Sequence, residues 1–286
     1  MEKGNAGKFD EPQTSFLLRA PLPPSFTNFI GHKLLRFLVT VQGLGAFTLI
    51  TLGVMVKKLR VARPIILPAI HLELMRSGLR LLPMFLFISA ALGLVVIGQT
   101  VARLTSLGAN QYLGTIMVSV VVRELGPFFT AMLVLARSGT SNVIELGTAR
   151  ALGEVEGLEA LGIDPIHYLV MPRVIGMALG TLSLTVYFII SALVCGYVWA
   201  FIQDVPLRPG DYFSQLAGAL SSVDFIVLAV KSSLFGIAIS VITCYHGLAQ
   251  PLGIEEISRA TVRAVAQSII ACVLIDVPFI LVYRAA

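Results

Sequence analysis

Four ionisable residues stand inside stretches otherwise too apolar to hold them: Arg123, Glu124, Lys231 and Asp276. A charge at the centre of a membrane-crossing helix costs about 2.5–3.5 kcal/mol on insertion scales, so such residues pair or line a wet cavity. At ~1.5 Å of rise per residue, Glu124 lies roughly 16 Å, Lys231 about 10 Å and Asp276 about 12 Å from the same end of their apolar stretches. They are close enough in depth to meet. Adjacent residues on a helix point apart, so Arg123 and Glu124 need different partners. The expected pairs are Glu124 with Lys231 and Arg123 with Asp276, beside a polar cavity. Pairing that merely pins helices in lipid would look the same, but four charges exceed what packing requires. Gly126 and Pro127 follow at once. Proline removes a backbone donor and glycine lets the chain bend, so the second apolar stretch is expected to kink and break beside the charges.

His32, His71, His167 and His246 fall near the ends of the apolar stretches, and Cys195, Cys244 and Cys272 lie far apart within them. Neither a metal site nor a disulfide framework is implied. No nucleophile–base arrangement is evident, and the expectation is a non-catalytic chain with no cofactor and no metal. No G-x-x-x-x-G-K-[ST] occurs, so any ATP that drives this chain is bound by another.

The elements that position these residues follow from composition. Of 286 residues, 56% are hydrophobic and 13% charged, against about 25% charged in soluble domains. The chain reads as an all-α integral membrane protein. Apolar stretches of about 81–101, 113–136, 174–202, 225–245 and 264–284 approach or exceed the ~20 residues a spanning helix needs. The third is long enough that it must tilt or protrude. A sixth apolar run, Phe37 to Val56, has Lys33 and Arg36 before it and Lys57, Lys58, Arg60 and Arg63 after it. Both of its ends favour the same face, so 34–56 reads as an interfacial elbow helix. Gly93, Gly98, Gly176 and Gly180 permit close helix contacts.

Eleven of the 21 Lys and Arg fall within the first 80 residues, which puts the N-terminus in the cytoplasm by the positive-inside rule. Five spans then leave the C-terminus outside. The net charge of +5 suits anionic headgroups and implies no nucleic-acid partner. Residues 1–26 are polar and Pro-rich without an apolar leader core, and read as a disordered cytoplasmic tail.

Between the second and third spans, 145–164 is amphipathic. Val155, Leu158 and Leu161 recur at three-residue spacing among Glu145, Glu154, Glu156 and Glu159. A cytoplasmic helix of this kind can dock into a groove on a partner, and its acidity disfavours lying on anionic lipid. Asp164 and Pro165 form a start signal for the next helix.

Several ordered motifs resemble those of MlaE-type permeases. They are Arg123-Glu-Leu-Gly-Pro127, Ala136-Arg-Ser-Gly139, Glu145-Leu-Gly147, and Leu158-Glu-Ala-Leu-Gly-Ile-Asp-Pro165 continuing to Pro172-Arg173. Lys231-Ser-Ser-Leu-Phe235, Ile257-Ser-Arg-Ala-Thr261 and Asp276 extend the resemblance over about 28–284. Ser141 to Ile144 and Glu154 to Gly157 depart from the usual pattern. The resemblance implies a homodimeric permease in the bacterial inner membrane, with an elbow helix and five spans per subunit. It implies cytosolic ABC ATPase subunits, a periplasmic MCE-domain protein and a small STAS-domain protein as partners. The implied cargo is phospholipid moved between inner and outer membranes, maintaining outer-membrane lipid asymmetry. Residues 145–164 would supply the ATPase coupling helix, and Arg123, Glu124, Lys231 and Asp276 would face the lipid cavity. Another hydrophobic cargo (sterol, fatty acid or solvent) suits an apolar cavity equally. A membrane-embedded lipid enzyme or a scaffold fits the residues less well.

Overall fold

Runs of Leu, Val, Ile, Ala and Gly with no water to bond to must satisfy their backbone internally, and helices do this within one segment. The computed structural model describes residues 42–54, 63–109, 112–202, 208–248 and 253–285, and those residues hold no strand. Residues 1–26, and 34–41 and 55–56 of the expected elbow, lie outside this set. The chain divides into two units, Met1–Gly45 and Ala46–Ala286. Among the described residues, a short apolar helix, α1, covers Gln42–Val54, within the expected elbow.

Among the described residues, five helical runs are long and apolar enough to cross a membrane: α2 Leu67–Ser106, α3 Leu113–Ala151, α5 Ile166–Ile202, α7 Ser222–Leu248 and α8 Ile254–Tyr283. Two short helices interrupt the series, α4 Glu154–Ala160 and α6 Pro209–Ala219. Each long helix overlaps one expected stretch and runs past it. The 37 residues of α5 reach about 55 Å at ~1.5 Å per residue, well beyond a ~30 Å hydrocarbon core.

Successive long helices run antiparallel, and α5 packs against α2, α3 and α7, while α8 lies on α7 and the second half of α3. Close approach depends on missing side chains. A Cβ at Gly93 of α2 would collide with the Ala192 backbone of α5, and one at Gly236 of α7 would stand 2.7 Å from the Met177 carbonyl oxygen of α5. The buried residues stack in layers from end to end. Ile97, Met117, Val121 and Tyr212 form one layer; Phe85, Val134, Leu184 and Phe235 form the next; Leu146, Val155, Val170 and Val241 form the third. The outward faces are apolar too, with Leu274 and Leu281 of α8 more than 60% exposed. Such a surface requires lipid or another apolar partner.

Candidate functional site

Pro127 organises the site. An α-helix would pair its N–H with the Arg123 carbonyl, and proline has none. The backbone responds by widening into a π-helix over Val118–Leu125, where the Gly126 N–H donates to Val121 O. The helix therefore runs on through Gly126 and Pro127 with its hydrogen bonds re-registered; it is not broken there. Lys231 of α7 donates to the Arg123 carbonyl from Nζ at 2.9 Å, giving it a partner that Pro127 cannot.

That ammonium is fully buried, at 0% exposure, and it has two further partners. Nζ stands 2.9 Å from Glu124 Oε2 and 2.5 Å from Asp276 Oδ1 of α8. Nζ thus donates to two acceptors, the Arg123 carbonyl and Glu124, and meets Asp276 as an ion pair out of hydrogen-bond alignment. Arg123 turns the other way. Its guanidinium meets Asp224 in the first turn of α7, with Nε 2.8 Å from Oδ1 and an NH2 group donating to Oδ2 at 3.2 Å. The first contact is an ion pair out of hydrogen-bond alignment; the second is aligned. Asp224 also accepts the Ser221 backbone N–H at 2.9 Å. The Arg123 guanidinium carbon lies 4.8 Å from the centre of the Tyr283 ring, within cation–π range.

The expected Glu124–Lys231 pair is present. The expected Arg123–Asp276 pair is not: Asp276 joins Lys231, and Asp224 takes Arg123. Residues 224 and 231 are seven apart, as are 276 and 283, which sets each couple on one helix face two turns apart. Two cations and three carboxylates knot α3, α7 and α8. Glu124 keeps 34% of its side chain exposed and Arg123 26%, so the knot reaches the bundle surface with one charge of each sign.

A second polar cluster lies at the far end of the bundle. Glu145 of α3 accepts from Arg173 of α5 at 3.0 Å and pairs with Arg76 of α2 at 3.6 Å. Arg173 also donates to Asn142 at 3.3 Å. Glu145 was expected to share one amphipathic helix with Glu154 and Leu161, but the segment is split. Gly153 takes φ +77°, a left-handed conformation that ends α3 and starts α4. Only Glu154–Ala160 forms the separate helix. Val155 is buried against the bundle. Glu154 and Glu159 are exposed, and Glu156 stands 3.7 Å from Arg150. Leu158 and Leu161 line an apolar hollow with Tyr168 and Leu169. Asp164 accepts the Ile166 N–H at 3.1 Å, capping α5.

A family model described as "Permease MlaE" matches residues 70–282, which hold both clusters and all five long helices except their outermost turns. The chain belongs to the MlaE permease family. A probable ABC transporter permease protein of Rickettsia felis is 29% identical over 244 residues, covering 85% of this chain and 92% of the relative. The Haemophilus influenzae intermembrane phospholipid transport system permease protein MlaE is 26% identical over 264 residues, covering 90% of this chain and 96% of its own length. The Arabidopsis thaliana chloroplastic protein TRIGALACTOSYLDIACYLGLYCEROL 1 is 32% identical over 209 residues, covering 71% of this chain and 58% of its own. As an MlaE-family permease, the chain is a multi-pass membrane transport subunit. Asp224 and Tyr283 escaped the reading of its residues because both stand at the rim of an apolar stretch. Their seven-residue spacing from Lys231 and Asp276 was the signal available.

Proposed function

We propose that this MlaE-family chain is the permease subunit of an ABC transporter that moves phospholipids between the inner and outer membranes and so helps keep the outer membrane asymmetric. ATP hydrolysis on a partner chain drives it. The reading rests above all on the ionic knot around Lys231, which places charges of both signs at mid-depth on the flank of an otherwise apolar bundle. A zwitterionic or anionic headgroup needs such groups if it is to leave the interface. The Haemophilus relative is named for intermembrane phospholipid transport, and the Arabidopsis relative carries the name of a galactosylated diacylglycerol. Both names favour a glycerolipid cargo over a sterol or solvent.

In this scheme two copies face each other across a lipid cavity lined by Arg123, Glu124, Lys231 and Asp276. The bundle end bearing Glu145 faces the cytosol, with the N-terminus on that side and the C-terminus in the periplasm. Cytosolic ATPase subunits engage α4 through Glu154, Glu156, Leu158, Glu159 and Leu161, with Asp164 holding the start of α5. Closure of the ATPases moves α4, and α3 carries the motion to the π-helical segment. A periplasmic MCE-domain protein accepts or delivers the lipid, and a STAS-domain protein binds the cytosolic assembly.

Purification from the native membrane in mild detergent, followed by mass spectrometry of bound proteins and lipids, tests the scheme. An ABC ATPase, an MCE-domain protein and phospholipid should co-purify. A lone chain under conditions that preserve other membrane complexes would overturn it.

A further inference from the structure

A polar cleft of about 420 Å³ opens between α2 and α3 at the bundle end that carries Glu145. It lies apart from the Lys231 knot and from the hollow beside α4. Arg76 and Arg80 of α2 and Arg137 of α3 line it, with Ser141 and Asn142. Two carboxylates also line it, Glu73 and Glu145, but Glu145 is taken by Arg173 and Arg76. Arg80 and Arg137 are exposed, and neither has an ion-pair partner among the described residues. Two free guanidinium groups from two helices therefore share one cleft with surplus positive charge.

Their depth identifies the ligand. Arg80 immediately precedes the apolar run from Leu81 through Leu92, and Arg137 immediately follows the run from Phe128 through Ala136. Both stand where the bundle's apolar belt stops, at the level of lipid phosphates rather than of acyl chains or bulk water. Guanidinium forks fit phosphate oxygens two at a time. The cleft volume lies in the range of ligand pockets and can admit a glycerophosphate headgroup while the acyl chains remain against the bundle.

We propose that the Arg80–Arg137 cleft is a binding site for the phosphate headgroup of an anionic glycerophospholipid in the adjoining leaflet. It is separate from the mid-depth knot and holds lipid at the bundle flank. The site does not depend on which molecule is transported, because occupancy is read without transport.

The test is native mass spectrometry of the full-length protein in detergent, titrated with phosphatidylglycerol and, separately, phosphatidylcholine. The wild type should bind phosphatidylglycerol more tightly. The R80Q/R137Q variant should lose roughly tenfold or more of that affinity, with little change for phosphatidylcholine. Lipid transport by the wild type, assayed separately, reads the transport proposal, so failure of the cleft and failure of the transport reading are distinguishable. The R80K/R137K variant keeps the charge but lacks the forks; an intermediate loss from this variant supports the site even if the glutamine variant folds poorly. Unchanged phosphatidylglycerol affinity in both double variants would overturn the proposal. Full displacement of the lipid by inorganic phosphate would reassign the cleft to a soluble phosphate and overturn the lipid assignment.

Discussion

Lys231 is the residue on which most depends, because its three contacts cannot be replaced piecemeal. Removing one partner of a buried ion pair costs about 3–5 kcal/mol, chiefly through the charge left behind. Lys231→Met should therefore lower thermal stability by about that amount in detergent and abolish lipid transport. Neutralising the abandoned carboxylates, as in K231M/E124Q/D276N, should restore most of the stability and none of the transport. Restored transport would show that the knot only pins helices. A double-mutant cycle resolves the pairing: Arg123 and Asp224 should couple by about 1–3 kcal/mol, and Arg123 and Asp276 by less than about 0.5 kcal/mol. Reversed values would sink the geometry described. Depth arithmetic was enough to bring Glu124, Lys231 and Asp276 together, because insertion cost alone singles out charges in apolar runs. It could not assign Arg123. The competing carboxylate, Asp224, sits at a helix start, where an acidic residue attracts no notice.

At the scale of the element, the second half of the signal at Pro127 was hidden from composition. Proline announces a disturbed helix, but whether the helix breaks, kinks or widens depends on what can serve the freed carbonyl. Here the Lys231 ammonium does, and the π-helical turn over Val118–Leu125 is the result. Pro127→Ala restores the missing N–H, so Arg123's carbonyl gains a backbone partner and Lys231 loses its exclusive acceptor. Stability should rise by about 1 kcal/mol or hold level, and transport should fall; wild-type transport by this variant would dismiss the π segment as a functional element. The five long helices were legible from length and hydropathy, since no polar backbone can go unpaired in lipid. The division of 145–164 was not, because amphipathic spacing continues across Gly153 while the backbone turns. Gly153→Val puts a β-branched side chain at φ +77°, where it is strained. It should displace α4 and uncouple ATP hydrolysis from transport in the purified complex while leaving the melting temperature of the permease nearly unchanged.

For the whole molecule, the two ends of the bundle differ in charge, and that difference sets how it lies in the membrane. Arg76, Arg80, Arg137, Arg150, Arg173, Arg259 and Arg263 stand at one end; Arg103, Arg208 and Arg284 stand at the other. Basic residues flanking spans are retained on the cytoplasmic side, and anionic lipid on that face attracts them further. The end with α4 should accordingly be cytosolic and the end with α6 periplasmic. Ala160 and Ser214 are both exposed, one on each short helix. With Cys195, Cys244 and Cys272 replaced by alanine, a membrane-impermeant maleimide should label Ser214→Cys in spheroplasts and label Ala160→Cys only after the membrane is opened. The opposite pattern would invert the protein. It would move the Arg80–Arg137 cleft to the outer leaflet and leave α4 where no cytosolic ATPase could reach it. One labelling experiment therefore bears on the orientation, on the coupling role of α4, and on which leaflet supplies lipid to the cleft.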